Sequence, residues 1–418
     1  MDSVDIRNFV DINIINKKET VEINSTRDTV ILFTLDDSFI PVSTTNNGYK
    51  EYSSLEEMEA VTGFNAAWKL KSVYQYAKVF FENGGVKLLL ADPNVIGDTH
   101  LTEMHWYDIL PYVKELPNEI IVVAVDQLDI DENTNLSLMA GLANEYSKST
   151  VNGFKVYGIN EKYFLSFSKN IPVSGTVGYM NEAGTSEITV KLVEVPNLAL
   201  KIANSRYSDD IPYQVGTEMT IAAYLSQIDV YKPNSIKDYA FTQEIVSTDF
   251  GASFNINTMV KNVITKHANI SVDINGIIRN IGGDLTTGED LVNKYVLIIL
   301  HQTLSQRVME VLTQKLKGND AITAIYAAMS RELNRYLSSG YLTTDKAWTN
   351  NDLTIVKNNI TYTLITKGTA LVQGYKITIL PYASLTSAEI SEHKVPYIYV
   401  VLADSYNIRK ATIYGETI

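Results

Sequence analysis

The chain has 418 residues, of which 45% are hydrophobic and 20% are charged, so it can build a large core and more than one domain. Its formal net charge is -13 and it contains no dense Lys/Arg block, which argues against a phosphate-binding or nucleic-acid-binding surface. Cysteine is absent, which excludes disulfides, thiolate metal sites and a cysteine nucleophile.

Residues 1–25 are predicted to form an extended N-terminal arm. Apolar residues alternate with polar ones at Val4 and Ile6, and again at Ile12 and Ile14. No turn signal follows that would fold this segment back as a hairpin. A strand without a partner of its own is therefore expected at this end of the chain.

The sequence contains no signal for secretion or membrane insertion. Met1–Asp5 lacks the basic start and the apolar run of a secretory signal. The most apolar stretches, Ile120–Val125 and Val296–Leu300, are far shorter than a membrane-spanning helix. We expect a soluble chain that is made and folds in the cytoplasm.

Residues 26–160 are predicted to form an α/β domain. Strands alternate with helices, and each strand is a near-continuous apolar run, which is typical of a mostly parallel sheet covered on both faces. The predicted strands are Val30–Phe33, Val86–Ala91, Ile120–Val125 and Phe154–Ile159. Four helices are predicted between these strands. The first begins with a capping box of Ser54 and Glu57, and the second has apolar positions from Ala67 to Phe81 and ends at Gly84-Gly85. The other two lie around Trp106–Val113 and Leu136–Tyr146.

The remaining residues are predicted to form a β-rich insertion at 161–213, an α+β domain at 214–405 and a C-terminal strand within 406–418. The overall fold class is thus α/β plus α+β. The second domain is predicted to contain a helix that begins past Thr217, a glycine-rich turn at Gly282–Asp290, a long helix that ends at Lys317, a helix over Asp320–Ser338, a short helix capped by Thr386 and Glu389, and a strand at Tyr397–Leu402.

No motif for catalysis, metal binding or cofactor binding is found in the sequence. The common hydrolase and nucleotide-binding motifs are absent. His100 and His105 lie among acidic residues, but a spacing of five does not place two imidazoles on one helix face. The run Asp129–Asn135 resembles a calcium loop, yet it has Thr134 and Ala140 where such a loop needs Gly and Glu. The sequence therefore predicts no catalytic residue, no metal and no cofactor.

The second domain carries a resemblance to a known family. Asn275–Gly283, which continues through Thr287-Gly288-Glu289 into a long amphipathic helix, resembles the conserved domain of contractile phage tail sheath proteins. The order of Leu385–Glu389, Lys394–Val400 and a final strand is similar to the end of that domain. Upstream, Phe80–Gly85 is similar to the helix end and glycine pair of the family.

The resemblance implies a structural, self-assembling protein and not an enzyme. Members of the family stack as hexameric rings around a tail tube and lend terminal arms to the sheets of neighbouring subunits. It implies as partners further copies of the chain, the tube protein, and baseplate and tail terminator proteins, with a location in the virion after synthesis in the host cytoplasm. The inter-subunit arm residues would be Val4, Ile6, Phe9, Ile12, Ile14, Ile408, Thr412, Ile413, Tyr414 and Ile418, and the conserved-domain turn would be Gly282, Gly283, Gly288 and Glu289.

The same resemblance leads us to expect that the insertion at 161–213 faces outward and that the domain at 214–405 faces the tube. The helix over Thr287–Lys317 is the first candidate for the tube-facing contact.

Three alternatives remain open on the sequence alone. Both termini could pair within their own subunit. The chain could be an α/β enzyme with an unrecognised site at the carboxyl ends of the strands, near Asp92, Asp126 and Asn160. It could also be a tail or baseplate structural protein that does not contract.

Overall fold

The structure, a computed structural model, describes residues 13–15, 30–40, 48–96, 121–124, 154–160, 173–181, 184–190, 198–203, 216–246, 256–265, 267–314, 316, 318–392 and 394–405. The chain forms two compact units. The sheet unit contains Thr26–Ile228 and Asp238–Tyr295. The terminal unit contains Met1–Ser25, Asp229–Lys237 and Val296–Ile418.

The secondary structure alternates between strands and helices in the first part of the chain and is mixed in the second. The strands are β1 (Asn13–Ile15), β2 (Val30–Phe33), β3 (Tyr49–Tyr52), β4 (Leu88–Ala91), β5 (Ile121–Ala124), β6 (Phe154–Asn160), β7 (Val173–Asn181), β8 (Gly184–Val190), β9 (Leu198–Ala203), β10 (Asn269–Ile274), β11 (Ile277–Ile281), β12 (Leu353–Lys357), β13 (Ile360–Ile365), β14 (Tyr375–Ile379) and β15 (Ile398–Leu402). The helices are α1 (Leu55–Glu59), α2 (Ser72–Glu82), α3 (Pro93–Ile96), α4 (Met219–Ser226), α5 (Ile256–Thr265), α6 (Leu291–Leu312), α7 (Gly318–Ser338) and α8 (Ser387–Ser391).

An eight-stranded sheet organises the sheet unit, in the order β11-β10-β9-β6-β5-β2-β4-β3. All neighbouring strands from β4 to β10 in this order pair in parallel. The edge strands β3 and β11 pair antiparallel with β4 and β10. The interior strand β2 is buried along its whole length, as its continuous apolar run predicts. The predicted mostly parallel sheet is thus confirmed, with β2, β4, β5 and β6 where the sequence placed strands.

The sheet extends beyond the predicted boundary at residue 160. Strands β9, β10 and β11 belong to the same sheet as β2, although the sequence analysis assigned them to the insertion or to the second domain. The two compact units therefore divide the chain differently from the predicted ranges 26–160 and 214–405. Within 161–213, β7 and β8 pair with each other as a separate two-stranded sheet.

Helix α2 is shorter than its apolar pattern predicted. Val73, Ala77 and Phe80 are buried, but the helix begins at Ser72. Trp68–Leu70 forms a separate single 3₁₀ turn, and the Leu70 side chain is 76% exposed. The apolar residues before position 71 follow a helical spacing without belonging to the helix. The helices predicted around Trp106–Val113 and Leu136–Tyr146 lie outside the described residues, so coverage of both sheet faces stays a prediction.

Candidate functional site

The candidate assembly site is a three-stranded sheet in the terminal unit, in the order β1-β15-β14. Strand β15 lies in the middle, antiparallel to β14 with Ile377 opposite Val400. Strand β1 runs parallel to β15, with Ile14 opposite Val400. Residues 13–15, which lie within the predicted N-terminal arm, thus occupy an edge position of this sheet.

Strands β15 and β14 of this sheet are fixed to the body of the terminal unit. Val401 packs in a buried cluster with Ile365, Leu371 and Ala403. On β14, the Tyr375 hydroxyl donates to the Ser330 carbonyl oxygen at 3.3 Å and to Asn334 Oδ1 at 3.1 Å, both on α7. A strand that pairs with β15 therefore joins strands that are already packed. Only the added strand then loses conformational entropy when the pair forms.

A charged group holds the start of β15. Glu389, in the capping box of α8, accepts hydrogen bonds from the Thr386 backbone N–H at 2.8 Å, the Tyr397 hydroxyl at 2.9 Å and the Lys357 ammonium at 3.1 Å. Lys357 Nζ also lies 3.8 Å from the centroid of the Tyr397 ring. These bonds to the charged form, first among them the Thr386 N–H, lower the pKa of Glu389 from 4.5 to about 2. The capping box was predicted from sequence, but Lys357 was not.

We expect Glu389→Gln to weaken the terminal unit more at neutral pH than in acid. Because the folded pKa is below the usual value of 4.5, the ionised carboxylate contributes its full stability above that pH and loses it as pH falls towards about 2. The measurement is the urea midpoint of wild type and variant at pH 7 and pH 3. A gap between the two midpoints that stays the same at both pH values would contradict this role.

The other predicted arm residues have no described position. Val4, Ile6, Phe9 and Ile12 lie outside the described residues, as do Ile408, Thr412, Ile413, Tyr414 and Ile418. Ile14 is the arm residue whose backbone pairing is described, and it pairs within its own chain. Residues 16–29 connect β1 with β2, and such a connection reaches roughly 45 Å when extended.

The predicted conserved-domain turn joins β11 to α6 in the sheet unit. The Asn269 side chain accepts from the Gly283 N–H at 2.6 Å and donates to the Asp284 carbonyl oxygen at 3.1 Å, which ties the turn to β10. Glu289 accepts from Lys294 at 3.2 Å. The four residues named from sequence therefore lie together in one turn, anchored by a strand residue that the sequence analysis did not identify.

Gly282 is required in this turn for two reasons. Its φ is +132°, and an added Cβ would lie well inside contact distance of the Ala268 carbonyl oxygen. We expect Gly282→Ala to lower the free energy of unfolding by about 3 kcal/mol or more. Gly276 is the matched control, because its φ is +81° but nothing lies within 4 Å of an added Cβ. Equal losses for the two alanine variants in urea unfolding would show that the close approach at Gly282 is unimportant.

Most of the long helix α6, which the sequence analysis named as the first candidate for a tube-facing contact, is buried within the chain. Apart from the half-buried Asn293, every residue from Leu291 to Ser305 is buried, including polar ones such as His301 and Gln302. A helix that is buried on all sides belongs to a core. The prediction that this helix contacts the tube is therefore wrong for the stretch 291–305, because its side chains are already packed within the protein.

A buried polar network in the sheet unit was not predicted from the sequence. Lys201 on β9 is fully buried, and its ammonium donates to both Glu244 carboxylate oxygens at 3.0 Å and to Asn280 Oδ1 at 3.0 Å. Tyr239 and Ser271 also donate to Glu244. Burial lowers the pKa of Lys201, and burial followed by the Glu244 charge raises the pKa of Tyr239. This network holds Tyr239 and Glu244 against three neighbouring strands of the sheet.

The residues of the enzyme alternative are described only in part. Asp92 is buried at the end of β4 and accepts the Asn94 N–H at 2.9 Å, a local capping bond. Asp126 and the side chain of Asn160 lie outside the described residues. Convergence of these three groups on a pocket stays a prediction of that alternative.

The described residues contain neither a metal cluster nor a membrane-spanning helix. Among the described residues, no group of three or more His, Asp or Glu side chains could hold a metal ion. His100, His105 and the run Asp129–Asn135 lie outside them. Of the helices that the structure describes, none is long and apolar enough to cross a membrane.

Solved structures of similar fold identify the fold of this chain, whereas comparisons of its sequence do not. No family model and no curated protein matches the sequence. The structure is similar to a chain of the PVC sheath complex of an extracellular contractile injection system in its contracted state, with a TM-score of 0.56, 12% identity, and coverage of 98% of this chain and 97% of that one. It is also similar to a chain of the contracted helical sheath of the anti-feeding prophage, with a TM-score of 0.54, 12% identity and 98% coverage of both chains.

A third similar chain comes from the baseplate of the anti-feeding prophage, with a TM-score of 0.54, 11% identity and 100% coverage of both chains. Since each likeness extends over essentially the whole chain, it includes both compact units. The predicted resemblance to contractile tail sheath proteins is thereby confirmed at the level of the fold. The chain has the fold of contractile sheath proteins.

Proposed function

We propose that the protein is the structural subunit of a contractile sheath, which polymerises as stacked hexameric rings around a tail tube and contracts to drive the tube through a host envelope. The observation that carries this proposal is the likeness to contracted sheath structures over 98% of the chain. Its partners are further copies of itself, the tube protein, and baseplate and tail terminator proteins. It is made in the host cytoplasm and acts in the virion or particle, without cofactor or catalytic site.

Arm exchange is the linkage that we propose between subunits. Strand β1 pairs with β15 within one chain. In the assembly, we propose that residues 16–29, which span roughly 45 Å when extended, let the same strand pair with β15 of a neighbour. A strand edge that no chain covers is an aggregation hazard, so a terminal strand with a fixed partner position suits strand addition in an assembly. An arm with about five backbone hydrogen bonds, at ~1 kcal/mol net each, stabilises the link by on the order of 5 kcal/mol.

The C-terminal residues 406–418 are proposed to link subunits in the same way. Strand β14 is the other edge of the assembly sheet among the described residues, so a strand from a further chain could extend the sheet there. The arm residues at the two termini and the sheet β1-β15-β14 thus form one proposed linkage. The insertion at 161–213 is proposed to face outward and residues 214–405 to face the tube.

The driving force for contraction is proposed to come from the compact units and not from the arms. In this proposal, arm pairing stays the same before and after contraction, so it tethers neighbours while they rotate. New apolar area buried between subunits stabilises the contracted form by roughly 25 cal/mol per Å² before ordering costs. The extended sheath is then kinetically trapped, and its lifetime is set by a barrier.

A non-contracting baseplate component is the second candidate function. It is favoured by the similar chain in a baseplate structure, which is matched over its full length. Sedimentation of the purified chain at rising concentration and at two salt levels separates the two candidates. A sheath subunit is expected to form long polymers above a critical concentration, whereas a baseplate component is expected to stop at a closed ring or a small particle.

A further inference from the structure

Three isoleucines form an exposed row across one end of the sheet unit. Ile274 on β10 lies directly opposite Ile277 on β11. The next segment pairs along the outer edge of β11, with Gln243 opposite Arg279 and the Glu244 N–H bonded to the Ile278 carbonyl oxygen at 3.0 Å. Continuing this register places Ile245 opposite Ile277, and directly opposite residues share one face of a sheet. We call Ile245, Ile277 and Ile274 the isoleucine row.

The row lies at the exposed end of its sheet face. Ile245 is 53% exposed, Ile277 38% and Ile274 36%. On the same face, Ile270 and Val272 of β10 are buried, whereas Arg279 is half-buried and Gln243 is exposed. The apolar burial along β10 therefore ends before the row. Scattered surface isoleucines need no explanation, but three adjacent ones form a patch.

The row is held on an ordered frame. The Asn83 side chain donates to the Ile245 carbonyl oxygen at 3.1 Å and accepts the Ile245 N–H at 2.8 Å. The adjacent Glu244 is fixed by the buried Lys201. A partner that covers the row would therefore order little additional backbone, which removes one of the main costs of association.

The row is too small to form a stable interface by itself. Three half-exposed isoleucines offer an apolar area on the order of 200 Å², far below the roughly 800 Å² per partner of a standard stable interface. Such an area cannot hold two copies together alone, but it contributes where other links, such as exchanged arms, already hold the copies in place. A repeated weak contact of this kind suits a polymer of identical subunits.

We propose that the isoleucine row is the apolar centre of a contact between copies of this chain that forms in the polymer and not between two free copies. The inference rests on the proposed sheath function and deepens it, because it assigns a contact outside the terminal arms. The partner surface is a second copy of this chain.

The first test replaces Ile245 and Ile277 by threonine, which keeps the β-branched shape that strands favour and removes apolar surface. We expect Ile245→Thr/Ile277→Thr to raise the critical concentration for polymerisation at least tenfold, with an unchanged urea midpoint for the monomer. Val356→Thr/Ile360→Thr is the matched control, since these exposed strand residues of the terminal unit are 67% and 52% exposed. The control is expected to polymerise like the wild type.

The second test measures burial directly. Because the chain has no cysteine, Ile277→Cys introduces a single thiol. Its alkylation is expected to be at least tenfold slower in the polymer than in the monomer. An unchanged critical concentration for the threonine variant, an equal rise for its control, or an equal alkylation rate in both states would overturn the inference. If the wild type formed no polymer, the proposed function would fail as well.

Discussion

Replacing both Asn13 and Ile14 by proline is expected to abolish polymerisation and to leave a folded monomer. Strand β1 pairs with β15 at these residues, and consecutive residues of a strand point their N–H groups to opposite sides. The double substitution therefore removes the donor that faces β15, whichever of the two residues supplies it. Deletion of Met1–Ile14 is expected to have the same effect. Sedimentation measures the polymer, and circular dichroism measures the fold.

The matched control is Asn13→Ala/Ile14→Ala, which keeps both backbone N–H groups. We expect it to polymerise, with a higher critical concentration at most. A proline variant or a deletion that polymerises like the wild type would show that the arm does not link subunits. In that case β1 would pair only with β15 of its own subunit. This is the alternative in which the termini pair within one chain.

Replacing Lys201 by methionine is expected to lower the free energy of unfolding of the sheet unit by about 3–5 kcal/mol, because Glu244 would remain buried without its cation. The double variant Lys201→Met/Glu244→Leu is expected to recover part of this loss, since it removes the buried charge as well. Urea unfolding of the full chain measures both values.

An exposed ion pair serves as the control for this prediction. Lys87 and Glu51 form an ion pair with side chains 40% and 51% exposed. Lys87→Met is expected to cost less than about 1 kcal/mol, because solvent screens such pairs. A loss at Lys201 no larger than the loss at Lys87 would show that the network does not stabilise the sheet unit.

Strands with continuous apolar runs were the part of the fold that the sequence predicted well. The sequence of Val30–Phe33 indicates a buried strand, and the structure places it as a fully buried interior strand of the sheet. The capping box at Thr386 and Glu389 likewise identified a helix start that the structure confirms. Both signals are local, so they need no knowledge of what packs against them.

Features that depend on distant residues were not predicted. The meeting of Lys201 with Glu244 depends on three-dimensional pairing that no local pattern contains. Strands β10 and β11 join the large sheet through the parallel pair of β9 and β10, so a boundary drawn from changes in composition missed them. The burial of α6 could have been read from its sequence, because apolar residues lie on all its sides between Leu291 and Leu304.

One strand of the candidate site lies where the sequence indicated a strand, whereas its role as an arm between subunits stays a prediction. The N-terminal alternation indicated a strand without a local partner, and the structure pairs Ile14 with Val400. Nothing in the sequence indicated which strand would accept it, because β15 is separated from the arm by almost the whole chain. The charged group around Glu389 at the start of β15 was missed for the same reason, since Lys357 comes from a different hairpin.

The most direct test of the sheath function is negative-stain electron microscopy of the purified, concentrated chain at two salt levels. The proposal predicts hollow, striated tubes with helical symmetry, whose formation is lost in the variant with proline at positions 13 and 14. Uniform small particles under every condition, with no tubes even when the tube protein is supplied as a template, would contradict it.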